Sequence, residues 1–147
     1  MNWFLKKFEE LSVTELYDIL KLRSLVFVVE QTCVFLDMDD KDQKSYHFMG
    51  YENGELMAYT RIVPPGISYP EASIGRVVTS PASRGTGLGR MLMEESIKRT
   101  ISLYGNTPIK IGAQSHLNNF YGSLGFTRSS DIYMEDGIPH IEMTRIN

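Results

Sequence analysis

Hydrophobic and polar positions along this chain switch between a short and a long period, and each switch marks an element. The opening stretch NWFLKKFEEL reads as a first strand. Ser12 with Glu15 three residues on has the form of a capping box, and Leu16, Ile19, Leu20, Arg23 and Phe27 continue at helical spacing to about Glu30. FLDMDDKDQKS is polar and acidic, and predicts a solvated loop. YHFMGYE and ELMAYTRIV flank Asn53-Gly54, a pair that tolerates the left-handed backbone of a two-residue turn, so a hairpin is expected. Pro64, Pro65, Gly66 and Pro70 break the chain before a further strand, SIGRVVTS. A long helix then keeps Leu88, Leu92, Met93, Ile97, Ile101 and Tyr104 on one face and ends near Gly105. PIKIGAQ predicts a strand, SHLNNFYGSLG a short helix, and FTRSSDIYM with PHIEMTRI an antiparallel pair around EDG. Strand, helix, three strands, helix, strand, helix and two strands make an α/β (α+β) fold with a mixed sheet of about seven strands. No repeat or linker divides it, so one domain over residues 1–147 is expected.

Composition narrows the function classes. A chain of 147 residues is long enough for a core without disulfide or metal staples. With 42% hydrophobic residues and a formal charge of -3 it has no positive excess to draw nucleic acid. The lone Cys33 excludes an internal disulfide and suits a reducing compartment. No apolar run approaches the ~18 residues of a membrane span and the start lacks a signal-peptide core, so no membrane association and a cytoplasmic location are expected. The last hairpin could serve a dimer, which leaves monomer and homodimer open.

The stretch SPASRGTGLGRMLMEE puts three glycines into five positions ahead of a helix. A P-loop requires Lys-Ser/Thr after the last glycine, and no lysine follows here. A dinucleotide fingerprint fails because the third glycine arrives one residue early and an antiparallel hairpin precedes it. Two readings remain. The amides of Gly85, Thr86, Gly87, Leu88, Gly89 and Arg90 converge on an anion at the helix N-terminus, or the glycines only make a tight turn. The run DMDDKD does not match a calcium loop: counted from Asp37, Asp42 stands where glycine is needed and Phe48 where the twelfth-position Glu belongs. No metal site is therefore expected. Asp37, Asp39 and Asp40 could still face a cationic amine. Arg23 and Arg76 lie in apolar segments, either in ion pairs, with Glu30 for instance, or on an acceptor pocket.

Val77-Val78-Thr79-Ser80-Pro81 followed by Arg84-Gly85-Thr86-Gly87-Leu88-Gly89 resembles motif A of the GCN5-related N-acetyltransferase (GNAT) superfamily. FYGSLGF, Phe120 to Phe126, resembles that superfamily's Phe-Tyr-x-x-x-Gly-Phe segment. RSLVFVVEQ, IGRVV, IGAQSHLNNFY and EDGIPHIEM are similar to the ElaA-like group and span nearly the whole chain. Where many members carry Asn seven residues before the tyrosine, this chain has Gln114.

The resemblance implies a GNAT fold, in which acetyl-coenzyme A lies in a V-shaped splay between two central parallel strands, here those ending near Thr79 and Gln114. The backbone of Val77, Val78 and Thr79 would pair with the pantetheine, and the loop from Arg84 to Arg90 would hold the pyrophosphate. Gln114, Asn119 and Tyr121 complete the cofactor side. Tyr121 is implied as the acid that protonates the leaving thiolate. The strand position where many members have a catalytic Glu is Arg76, and the nearest acid is Glu71. The candidate bases are therefore Glu30, His47 and His140, with water as the alternative. A thiol nucleophile at Cys33 is not required. The expected reaction is transfer of acetyl from acetyl-coenzyme A to a primary amine, on a small molecule or a peptide, in a ternary complex. RSLVFVVEQ is also similar to the acyl-homoserine-lactone synthases, which implies longer acyl groups as the alternative. A coenzyme A binding module without turnover is the other.

Overall fold

The computed structural model describes residues 1–147, and its strands fall into two halves of a sheet that meet at one point. In the first half β1 (Asn2–Lys7), β2 (Tyr46–Glu52), β3 (Glu55–Val63) and β4 (Ser73–Thr79) run antiparallel in that order. The β2–β3 hairpin closes over Asn53 at φ 51° and Gly54 at φ 76°, as the Asn-Gly pair predicts. In the second half β5 (Ile109–Gln114) pairs with β8 (Ile138–Arg145), which also pairs with β6 (Phe126–Arg128) and β7 (Tyr133–Glu135).

The final pair thus contains one more strand than its pattern predicts, because the segment FTRSSDIYM is split in two. Ser130 Oγ accepts the Glu142 amide at 2.8 Å, taking a donor that would otherwise bond a neighbouring strand.

The halves join through a parallel bridge between Ala72 and Ile109, with Lys110 N donating to Ala72 O at 3.0 Å. Beyond that bridge β4 and β5 make no ladder, and a cleft opens between them.

Both faces of the first half are covered, which is why β3 is buried continuously from Ala58 to Val63. Ala58 and Ile62 face α2 (Leu88–Tyr104), against Leu92, Met93 and Ile97, and the same core extends to Ile111, Ile141 and Met143. Tyr59 faces the other way, into a smaller core of Ile19, Leu22, Val26, Met49 and Val78 under α1 (Val13–Arg23). The α1 capping box is present: Glu15 N donates to Ser12 Oγ at 3.0 Å and Ser12 N to Glu15 Oε1 at 2.8 Å. Residues Ser24–Glu30 continue α1 with wider turns, in which Gln31 N bonds Val26 O and Cys33 N bonds Val28 O, five residues back. A five-residue helix, α3 (Asn118–Gly122), follows β5. No helix is long and apolar enough to cross a membrane.

Candidate active site

The cleft between β4 and β5 encloses a cavity of about 580 Å³, within the range of small-ligand sites. Ser73 to Val77 form one wall and Ile111 to Gln114 the other, with Tyr121 and His140 beside them. A β-bulge shapes the first wall. Tyr59 pairs with Val78 and Arg61 with Gly75, so Arg76 and Val77 share the single opposite residue Thr60, and Arg76 takes φ 49°. Val77 faces the cavity, Val78 is buried in the core under α1, and Thr79 pairs with Ala58 at the end of the strand.

The glycine loop begins beyond β4, after a turn at Pro81–Ser83. Gly85 and Gly87 take φ of 79° and 80°, which a residue with a Cβ adopts at a cost, and nothing lies within 4 Å of where that Cβ would be. The amides of Gly85, Gly87, Leu88, Gly89 and Arg90 make no hydrogen bond within the protein. Thr86 is the exception, since its amide bonds Ser83 O at 3.3 Å. The cradle is therefore five amides at the positive end of α2, one fewer than the loop's length suggests. The Leu88 side chain is core, so only its backbone faces outward. The flanking arginines are engaged by protein groups: Arg84 pairs with Glu30, while Arg90 pairs with Glu94 at 3.2 Å and donates to Ser123 Oγ at 2.8 Å. That last bond ties α2 to the segment carrying Tyr121.

Tyr121 lies against Phe120 and Phe126 with its ring buried. Burial pushes its hydroxyl pKa up to about 12. The hydroxyl has no protein hydrogen-bond partner, and the residue lines the cavity. Gln114 Nε2 reaches across the cleft to Gln31 Oε1 at 3.5 Å, and Asn119 is exposed on α3, off the cavity wall.

The candidate bases separate clearly. A carbonyl can only accept, so His47 Nε2, 2.8 Å from Asp42 O, is a donor, and Nδ1 accepts from Tyr59 at 2.7 Å. Both nitrogens are occupied in the interior, where burial holds the ring pKa below its ordinary value. Glu30 is exposed and taken by Arg84, outside the cavity lining. Glu71 also lies outside it, with Oε1 sealed from solvent and unpartnered. His140 is different. Its Nδ1 donates to Ile138 O at 2.8 Å, so in the neutral ring the lone pair is on Nε2, which lies 3.4 Å from Glu135 Oε2 on the cavity rim. Near it the hydroxyls of Tyr69 and Tyr133 converge over Gly112, where a Cβ would meet them at 3.0 and 2.9 Å. Cys33 Sγ donates to Asp136 O at 3.3 Å and contributes packing at the cavity edge.

The acidic segment corrects its reading as a solvated loop. Asp37 contacts Arg23 at 2.7 Å and Arg76 at 2.9 Å; Asp39 contacts Arg61 at 2.7 Å and Arg76 at 3.4 Å; Asp42 contacts Arg23 at 2.8 Å and Arg61 at 2.9 Å. Each acid bridges two arginines and each arginine two acids, a closed ring of six charges of which Asp37, Asp39, Arg61 and Arg76 line the cavity while Arg23 and Asp42 lie behind them. Glu30 is not the partner of Arg23 or Arg76. The acidic run and the isolated arginines were visible in sequence, but nothing local indicated their pairing.

Residues 26–146 match the Acetyltransferase (GNAT) domain. The chain is 43% identical over 144 residues to a UPF0039 protein of Synechocystis, covering 97% of this chain and 94% of that protein. It is 44% identical over 138 residues to the protein ElaA of Escherichia coli, covering 92% and 90%. A solved structure of an acyl-CoA N-acyltransferase from Pseudomonas aeruginosa superposes with a TM-score of 0.94 at 42% identity, covering 98% of both chains. With its splayed strands and glycine loop, the chain belongs to the GNAT acetyltransferase family, in the ElaA-like group.

Proposed function

We propose that this protein transfers an acyl group, acetyl first, from acyl-coenzyme A to a primary amine by direct attack in a ternary complex. The observation that carries the reading is the set of five unpartnered amides at the start of α2, next along the chain from a strand edge that lacks a ladder partner. Such amides suit a pyrophosphate, and an open strand edge suits the amide-bearing pantetheine arm. When bound, acyl-coenzyme A supplies an activated thioester. The protein's residues supply position and proton movement. Val77, beside the bulge, offers backbone groups to the arm on the cavity wall. His140 Nε2 takes a proton from the acceptor ammonium, and the Glu135 carboxylate both draws that cation and steadies the imidazolium that results. Tyr121 stays protonated at neutral pH and holds its proton ready for the departing sulfur. Glu30 and His47 take structural roles in this scheme.

Leu36 on the cavity wall, with exposed Val34, Phe35 and Met38 beside it, favours a second reading in which longer acyl chains are accepted. Screening a broad amine panel with acetyl- and octanoyl-coenzyme A, with thiol release detected, tests both. Acetyl-dependent release supports the first reading and a strong preference for octanoyl the second. Coenzyme A binding without release under any amine identifies a binding module instead.

A further inference from the structure

The cavity contains charges that the protein does not neutralise, and they sit at separate places. The ring of Arg23, Arg61 and Arg76 with Asp37, Asp39 and Asp42 is balanced, three against three. Lys41, placed between Asp40 and Asp42 in the chain, is left out of it. No carboxylate lies within ion-pair distance of its Nζ, which instead donates to Ser68 Oγ at 3.0 Å. Both residues are half-buried and both line the cavity. A half-buried ammonium whose protein partner is one neutral hydroxyl has given up part of its hydration without a counter-charge. It retains two N–H donors, and the Ser68 hydroxyl, having accepted, still has its own proton to give. Donors with no acceptor are the chemistry of an oxyanion site. Elsewhere on the cavity lining, Glu135 at the end of β7 has His140 Nε2 at 3.4 Å as its one basic neighbour, and Asp136 follows in the β7–β8 turn with no ion-pair partner.

Resting on the acyltransferase reading, we infer that the acceptor is an amino acid-like molecule: its amine goes to His140 and Glu135, and its carboxylate is read by Lys41 and Ser68. Asp37 and Asp39, although acidic and on the wall, do not repel such a carboxylate strongly because two guanidiniums hold each. The ring then has a second consequence. It fixes the backbone on either side of Lys41, since Asp39 Oδ1 accepts the Lys41 amide at 3.1 Å and Asp42 is held by Arg23 and Arg61. The Lys41 side chain therefore leaves a rigid base, which suits discrimination.

The test uses ω-amino acids of increasing chain length, each paired with its carboxamide, and acetyl-coenzyme A. A charge-assisted hydrogen bond to the carboxylate predicts kcat/KM for the best acid about tenfold to a hundredfold above its amide. In Lys41→Met that ratio falls to near one, and Lys41→Arg retains most of it. A wild type that turns over amides as well as acids, or a Lys41→Met protein with the preference intact, overturns the inference while leaving the acyltransferase reading standing. If no amine supports turnover, amide NMR spectra of the full chain, titrated with the same pairs, decide it. Shifts at Lys41 and Ser68 with the acids and not the amides support the site, and their absence with every acid removes it. Failure to bind coenzyme A in the same samples marks failure of the underlying reading.

Discussion

Tyr121 and His140 are the two side chains whose chemistry can be separated from their structural roles. The Tyr121 hydroxyl bonds nothing in the protein, so removing it leaves no orphaned polar group and the ring still fills its place beside Phe126. Tyr121→Phe should therefore keep its melting temperature and its coenzyme A affinity while kcat falls about a hundredfold to ten-thousandfold. Wild-type turnover would remove the acid role. For His140 the informative readout is the split between turnover and cofactor affinity. His140→Gln keeps a polar side chain but removes the ring nitrogen that takes the amine's proton, so kcat/KM for the amine should fall about a hundredfold to ten-thousandfold while coenzyme A affinity is unchanged. A variant that turns over like the wild type assigns the base to another group. The sequence placed both residues among the candidates but did not rank His140 above His47. The ranking rests on what each ring nitrogen touches, and those partners, Ile138 O and Asp42 O, are set by backbone geometry that no residue pattern encodes.

At the scale of elements, legibility followed the range of the cause. The Ser12–Glu15 box, the Asn53-Gly54 turn and the Gly105 helix end were readable because their physics closes within a few residues. The widening of α1 after Ser24 and the splitting of the penultimate strand at Ser130 were not, because each depends on bonds the competing pattern does not reveal. The glycine loop lies between these cases. Its backbone was legible, whereas its separation into five free amides and one occupied by Ser83 was not. That separation gives a controlled experiment. Gly87 and Gly105 share a positive φ, 80° and 82°, with open space around both. Alanine should cost about 1–2 kcal/mol of backbone strain at Gly87, whose ψ of 7° is left-handed helical, and more at Gly105, whose ψ of -174° is open essentially to glycine alone. Only Gly87→Ala should also weaken coenzyme A binding, by tenfold or more in calorimetry, because relief of that strain turns the cradle's amides away. Equal affinities in the two variants would reduce the loop to a turn.

For the whole molecule, the six-charge ring fastens the segment after α1 to β3 and β4, and so determines whether the cleft keeps its acceptor side. This makes acid the natural probe. Burial disfavours ionised Asp39 and Asp42, but hydrogen bonds and charge from Arg61 and Arg23 outweigh it and hold both carboxyls below the usual range. Unfolded, they titrate near ~3.9, so the stability they confer is present above that pH and is lost as pH falls further through the folded values. His47 adds an earlier loss. Burial, reinforced by Arg23 and Arg61, keeps its folded pKa below the unfolded ~6.5, so the unfolded chain gains protons first as pH drops. Denaturant midpoints should accordingly decline in two stages, one beginning near ~6.5 and a second below ~4. Asp42→Asn should cost about 3–5 kcal/mol at neutral pH, since it leaves two buried guanidiniums short of a partner, and should shrink the second stage. Midpoints that stay level from neutral pH to pH ~3 would mean that the ring does not couple these elements, and the acceptor wall would then need another support.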